Sequence, residues 1–188
     1  PEFAAAHPQI QYVVAQWAGV STSYNIHPRD PMFGKVVEAS VKEWETVYGA
    51  THLWDQAPYP ETSPGATAAA KRQIKIDWAR NMSAALARAD PRGTLYMSGW
   101  FLQGADWTPE VCREFFGAMT HSRFLVADVW AETNPVCAKT GYFGGQAEWM
   151  FGVLNTFGNV ERLHGDLRDL LRRVQHVVSD PQSRRCTG

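Results

Sequence analysis

The sequence predicts an α/β protein built from parallel strand–helix units. Two observations carry this. Apolar segments of strand length alternate with segments whose apolar residues recur at helical spacing. The strand segments are also near-continuous apolar runs, the pattern of a parallel sheet covered by helices. A length of 188 residues allows one domain, or one and a fraction.

The elements follow in order. Pro1-Glu2-Phe3 reads as vector-derived linker and is set aside; the chain reads as an excised piece with no initiator Met and no signal peptide. Tyr12 to Trp17 is a strand taken as the first of the parallel set. Asp30-Pro31 starts a helix, with Asp as N-cap and Pro at the first position, and Phe33, Val37, Val41, Trp44 and Tyr48 form its stripe up to Gly49. Thr51 to Asp55 is a short strand, followed by a Pro-rich loop (Pro58, Pro60, Pro64). A long helix runs from about Thr67 to Ala89 with a stripe at Ile74, Trp78, Met82 and Leu86. After the turn Asp90-Pro91-Arg92-Gly93 come a strand, Thr94 to Gly99, and a helix opened by Thr108-Pro109 that buries Val111, Phe115 and Met119. Phe124 to Val129 is the clearest strand. A connection without helical pattern, Ala131 to Gly145, leads to a strand from Glu148 to Leu154. The last helix is Leu163 to Val178, with a stripe at Leu167, Leu170, Leu171, Val174 and Val178. Residues 179–188 read as a polar tail, so the domain occupies 4–178.

Composition removes several functions. The formal net charge is -1, from 18 basic and 19 acidic residues, which leaves no electrostatic footprint for nucleic acid or an anionic membrane. No apolar run approaches the roughly 18 residues of a membrane span. Cys112, Cys137 and Cys186 are too scattered for a disulfide framework or a zinc ribbon. The six histidines show no HxxxH or HxH spacing, so a metal site has little support, and no cofactor is expected. Gly141 to Gly145 is too loose for a phosphate-cradling loop, and no Gly-x-Ser-x-Gly elbow occurs. Eight Trp, nine Phe and six Tyr are the unusual feature: that many rings fill a core or stack against flat apolar surfaces such as sugars.

In parallel strand–helix folds the chemistry gathers at the C-terminal ends of strands. Four ends carry conspicuous residues: Asp55-Gln56, Trp100, Glu132 and Asn155. Glu132 is the sharpest, just past an apolar strand and beside Trp130, at the start of a long irregular connection. A carboxylate there suits nucleophilic or acid/base work. Asp128, inside the strand, reads as a structural or orienting carboxylate. Trp100 and Trp130 are candidate sugar platforms, although bare aromatics are more often core. Cys137 has no suggested His partner and reads as a buried thiol.

These residues resemble a known family, the α-N-acetylglucosaminidases of glycoside hydrolase family 89. Gly99-Trp100-Phe101-Leu102 resembles its Gly-Trp-Leu-Phe segment, and Trp107-Thr108-Pro109-Glu110 the helix opening after it. Val126 to Val136 (VADVWAETNPV) is similar to its Asp-Leu-aromatic-Ala-Glu-x-x-Pro-Val segment, the most specific of the set. Phe157-Gly158-Asn159 with Leu163-His164-Gly165, and Pro28 to Phe33 upstream, resemble further segments in the same order.

The resemblance implies a later part of a (β/α)8 TIM-barrel catalytic domain, about half a barrel, from a protein several times longer. It implies a retaining enzyme, without metal, that removes terminal α-linked N-acetylglucosamine from glycans (of heparan sulfate type in animals), in a lysosomal or secreted setting. Glu132 matches the nucleophile. The acid/base belongs to a Phe-Asn-Glu-Met segment, where this chain has Trp54-Asp55-Gln56-Ala57, so Gln56 stands in place of the expected Glu. Glu61 is the one nearby substitute. Asp55, Trp100, Trp130 and Asn155, read from their places at or beside strand ends, are the candidate substrate contacts; the family pattern itself has His-Asn where this chain has Asn155-Thr156, and an aromatic where it has Cys137. The alternative expectation is an inactive relative that binds sugar or serves as a scaffold. Open sheet edges would favour a homo-oligomer.

Overall fold

The computed structural model describes residues 2–17, 19–59, 62–129, 131, 134–152, 167–183 and 185–186. After a short helix α1 (Glu2–Ala6) come β1 (Tyr12–Trp17) and β2 (Ser21–Ile26), then α2 (Pro31–Tyr48), β3 (Leu53–Asp55), α3 (Ala68–Ala89), β4 (Thr94–Ser98), α4 (Pro109–Gly117) and β5 (Arg123–Asp128). A single turn α5 (Gly141–Gly144), β6 (Glu148–Phe151) and α6 (Leu167–Ser179) complete it.

Helix starts follow their caps. The Asp30 carboxylate accepts from Met32 N at 2.8 Å ahead of Pro31, Thr67 Oγ1 accepts from Ala70 N at 3.1 Å, and Thr108 Oγ1 accepts from Val111 N ahead of Pro109. Each satisfies an amide that the first helical turn leaves without a backbone partner.

Strands β3, β4, β5 and β6 form one parallel sheet in sequential order. Each strand lies beside its sequence neighbour, with the helices α3 and α4 between the first three and only the turn α5 between β5 and β6, the arrangement of a (β/α)8 barrel wall with one shortened connection. One face carries Leu95, Met97, Val126 and Trp149, packed with Trp78, Met82 and Leu86 of α3 and Phe115 and Phe116 of α4. The Trp78 and Phe115 rings stack at 6.0 Å, and Trp107 meets Phe115 edge-on at 5.0 Å. The other face carries Asp55, Tyr96, Ser98, Leu125 and Glu148, all half-buried or exposed. That is the side a barrel turns inward.

Several expectations need correction. β1 does not join the parallel sheet; it pairs antiparallel with β2 in a separate hairpin whose turn includes Gly19 at φ +71°. β2 (STSYNI) is too polar to register as a strand by hydrophobic pattern, so its partner was assigned to the wrong sheet. On α2 only Val41 is buried, while Trp44 and Tyr48 are 50% and 72% exposed. On α6 the expected stripe is largely exposed at Leu171, Val174 and Val178, and Val177 is the buried residue. The connection after β5 contains α5, a turn with Tyr142 and Phe143 in left-handed conformation. The supposed tail is not wholly free: Ser183 is buried, and Cys186 bridges to Trp149 on the outer edge of β6.

Gly144 is the tightest backbone approach. It has φ +67°, and a Cβ there would fall 2.4 Å from the Arg113 backbone. Gly144→Ala should lower stability by about 2–4 kcal/mol through overpacking and left-handed strain, read as a drop in thermal midpoint. Gly117→Ala, where a Cβ meets nothing within 4 Å, should be neutral or slightly stabilising.

Candidate active site

The sheet places Asp55, Gln56 and Trp100 at one end. Asp55 closes β3 and Gln56 follows it, with its N–H donating to Tyr96 O at 3.0 Å. Trp100 lies in the 3-10 turn Gly99–Gln103 just after β4, and Ser98 Oγ accepts from Trp100 N. Gly99 is required there: a Cβ would fall 2.9 Å from Ala127 O and 3.3 Å from Val136 Cγ2. The family-like Gly-Trp pair thus turns the chain hard against the end of β5.

Strand alternation sends Asp55 and Gln56 to opposite faces. Asp55 shares the open face with Tyr96, whose phenol is pushed up by burial and by the Asp55 charge. Gln56 shares a side with Trp54 and lies on the rim of a groove of about 810 Å³ that is also lined by Tyr24, Phe33, Trp44 and Trp78. A smaller cavity of about 220 Å³ lies between Trp100, Tyr59, Gln103 and Asp106. The Tyr59 hydroxyl and Gln103 Nε2 in its walls are buried with no hydrogen-bond partner among the described residues. Burial, then the Asp77 charge, pushes the Tyr59 phenol up. Tyr59 also adopts φ +50°, a conformation that costs a non-glycine residue energy.

Asp128 has the structural role expected of it. The carboxylate is fully buried at the end of β5 and accepts from Val136 N at 3.1 Å and Cys137 N at 3.0 Å. Ala131 N donates to Gly152 O at 3.0 Å, so the connection is fixed on both sides of 132 and 133. Lys139 Nζ reaches the Gln103 and Gly104 carbonyls and ties the same connection to the turn after β4. Cys137 is buried, and burial together with Asp128 pushes its thiol up to about 12, which leaves it inert as a nucleophile. Glu132, Glu61, Trp130 and Asn155 lie outside the described residues.

One cluster has no sequence signal at all. Lys75 is buried with its Nζ 2.6 Å from Asp106 Oδ2 and 4.1 Å from the Trp107 ring centre, while Ser63 Oγ donates to the same Asp106 oxygen at 2.6 Å. This joins the Pro-rich loop, α3 and the segment after Trp100. Only the fold brings 63, 75 and 106 together. Burial pushes the Asp106 carboxyl up, but the bonds from Lys75 and Ser63 outweigh it and hold the group below the usual carboxylate range.

Parallel strands in sequence order, helices on one face and loops converging at the C-terminal ends define the wall of a (β/α)8 enzyme barrel. A family model for the α-N-acetylglucosaminidase (NAGLU) tim-barrel domain matches residues 1–188, and the chain belongs to that family of glycoside hydrolases. Human α-N-acetylglucosaminidase is 28% identical over 173 residues, covering 85% of this chain and 22% of the human protein. Two solved structures of a family 89 glycoside hydrolase from Clostridium perfringens, in complex with 2-acetamido-1,2-dideoxynojirmycin and with PUGNAc, match with TM-scores of 0.65 and 0.62. Both are 14% identical and cover 84% of this chain and 17% of theirs. The chain spans about a fifth of the length of these relatives. Among the described residues no helix is long and apolar enough to cross a membrane.

The ion pair sets a pH prediction. A carboxyl depressed in the folded state adds stability that is present above its unfolded value, near 4, and is lost as pH falls through the folded value. Stability should therefore fall below about pH 4 in the parent chain, and less steeply in Asp106→Asn. Denaturant midpoints at pH 3, 4 and 6 measure this. Separately, Asp128→Ala should cost about 3 kcal/mol or more by leaving the Val136 and Cys137 amides without their buried acceptor. Limited proteolysis should then cut first between 129 and 140.

Proposed function

We propose that this chain carries both catalytic positions of a retaining glycosidase acting on terminal α-linked N-acetylglucosamine. Glu132 is the nucleophile position and Gln56 the acid/base position. The observation that supports this is the order of the sheet: β3 and β5 flank β4, with all three parallel. Their C-terminal ends lie about 10 Å apart at the backbone, two strand spacings. Gln56 leaves β3 on the Trp54 side, so a pair at the roughly 5 Å of a retaining enzyme requires its side chain to turn across the strand ends toward the Asp55 side. On this reading Trp100, Trp130, Asp55 and Asn155 meet the sugar, and the Tyr59, Gln103 and Asp106 cavity receives polar groups beside it.

An amide at position 56 cannot protonate a glycosidic oxygen. The chain as it stands is therefore proposed to bind the glycan and to turn it over negligibly, which gives the binding-protein reading its support. An aryl α-N-acetylglucosaminide is the test substrate. Turnover by the chain comparable with an intact family enzyme would overturn this reading. In a full-length protein carrying this segment, Gln56→Glu should raise kcat by at least about 100-fold, the usual contribution of a positioned acid. Glu132→Ala added to that Gln56→Glu protein should abolish the gained turnover without lowering the melting temperature, and azide should partly restore it. A lowered melting temperature with near-normal kcat would instead make Glu132 a loop support.

The edge of β3 remains open among the described residues, with Leu53 50% exposed. Pairing of two copies there is proposed, and sedimentation at tens of micromolar should show a dimer. A sharp monomer overturns it.

A further inference from the structure

We propose that the opposite, N-terminal end of the sheet carries a divalent-metal site formed by Glu45, His52 and Asp90, suited to a borderline cation such as Zn²⁺. Glu45 lies in the last turn of α2, His52 just before β3, and Asp90 at the C-terminal cap of α3. One donor atom from each lies within 4.8 Å of the others.

The site is built rather than incidental. The Asp90 side chain is only 3% exposed, and its carboxylate is held from outside. Trp54 Nε1 donates to Oδ2 at 2.9 Å, and Arg92 N donates to Oδ1 at 3.1 Å. At Gly93 a Cβ would fall 3.1 Å from Asp90 Oδ2, so the turn leaves the carboxylate its room. The remaining lone pairs face His52 Nδ1, which stands 3.0 and 2.9 Å from the two oxygens. The two separations are those of a direct ion pair, and a cation would enter by taking the place of the proton between imidazole and carboxylate. With bonds of about 2.1 Å from imidazole nitrogen and carboxylate oxygen, such separations subtend an angle of roughly 90° at the metal.

His52 is held here in a left-handed conformation, φ +56°, with its carbonyl fixed by Thr94 N at 2.8 Å. Left-handed backbone in a non-glycine residue often marks a functional constraint. Glu45 is half-buried, has no ion-pair partner among the described residues, and converges on the same point. One imidazole and two carboxylates with an open fourth position match zinc and its neighbours; calcium and magnesium prefer all-oxygen sets. The cation would clamp the end of α2, the start of β3 and the α3–β4 turn, far from the strand ends that carry Asp55 and Trp100.

The test is titration of the whole chain with Zn²⁺ by calorimetry, with melting temperature followed in parallel and Co²⁺ absorption as a spectroscopic probe. One equivalent should bind at micromolar or tighter, raise the melting temperature, and give visible Co²⁺ bands without a thiolate charge-transfer band. His52→Gln and Glu45→Gln should each weaken binding at least tenfold, and His121→Gln should leave it unchanged. Glu45→Gln lies on a helix surface and keeps the test valid if His52→Gln does not fold. No saturable binding, affinity indifferent to both variants, or a thiolate band would overturn the proposal.

Discussion

The buried carboxylate of Asp128 is the interaction on which the strand-end chemistry depends. It closes β5 with no exposure to solvent and accepts the amides of Val136 and Cys137, so the chain that leaves β5 must return to the same point. A buried charge is tolerated only when donors satisfy it, and here the donors are the backbone of the loop itself. The connection is therefore held at Ala131, Val136 and Cys137, ahead of the single turn α5. Gly99 completes the arrangement, since only a residue without Cβ lets the turn after β4 press against Ala127 and Val136. One carboxylate and one glycine thus bring the ends of two neighbouring strands to a common place.

Much of this was legible in the sequence because the governing forces are local. The Asp-Pro and Thr-Pro starts of α2 and α4 are capping chemistry, and the structure repeats them. The apolar runs of β4 and β5 are buried where expected, and Asp128 reads correctly as structural because it interrupts an apolar strand. The failures share a cause. β2 is polar, and hydrophobic pattern alone does not detect a strand whose pairing rests on backbone bonds to the strand just before it in the chain. The stripes of α2 and α6 have the right period, but a stripe says that a face is apolar and not what covers it.

The candidate sites divide the same way. Asp55 and Trp100 are candidates because strand ends are where parallel folds put chemistry, and the structure places them at the ends of β3 and β4. Lys75, Asp106 and Ser63, and also Glu45, His52 and Asp90, carry no spacing signal, since their separations in sequence reflect whole helices between them. A rule built on HxxxH or HxH spacing sees metal ligands on one element. It is blind to ligands gathered from a helix end, a strand start and a turn.

The face on which position 56 lies gives the amide there a physical meaning. Gln56 still donates its N–H to Tyr96, so the chain has not yet left the sheet, and alternation keeps its side on the Trp54 side rather than the Asp55 side. The rim it occupies belongs to a groove walled by Phe33, Trp54 and Trp78. Gln56 is exposed on that rim, so a carboxyl group in its place would keep most of its water and gain little of the desolvation that raises the pKa of a general acid. A glutamine in that place keeps the shape and the hydrogen-bonding reach of a glutamate without its charge or its proton. On the proposed reading the amide therefore removes the proton donor with no gain in burial, and what it retains is the reach of a hydrogen-bonding side chain from the rim of the groove.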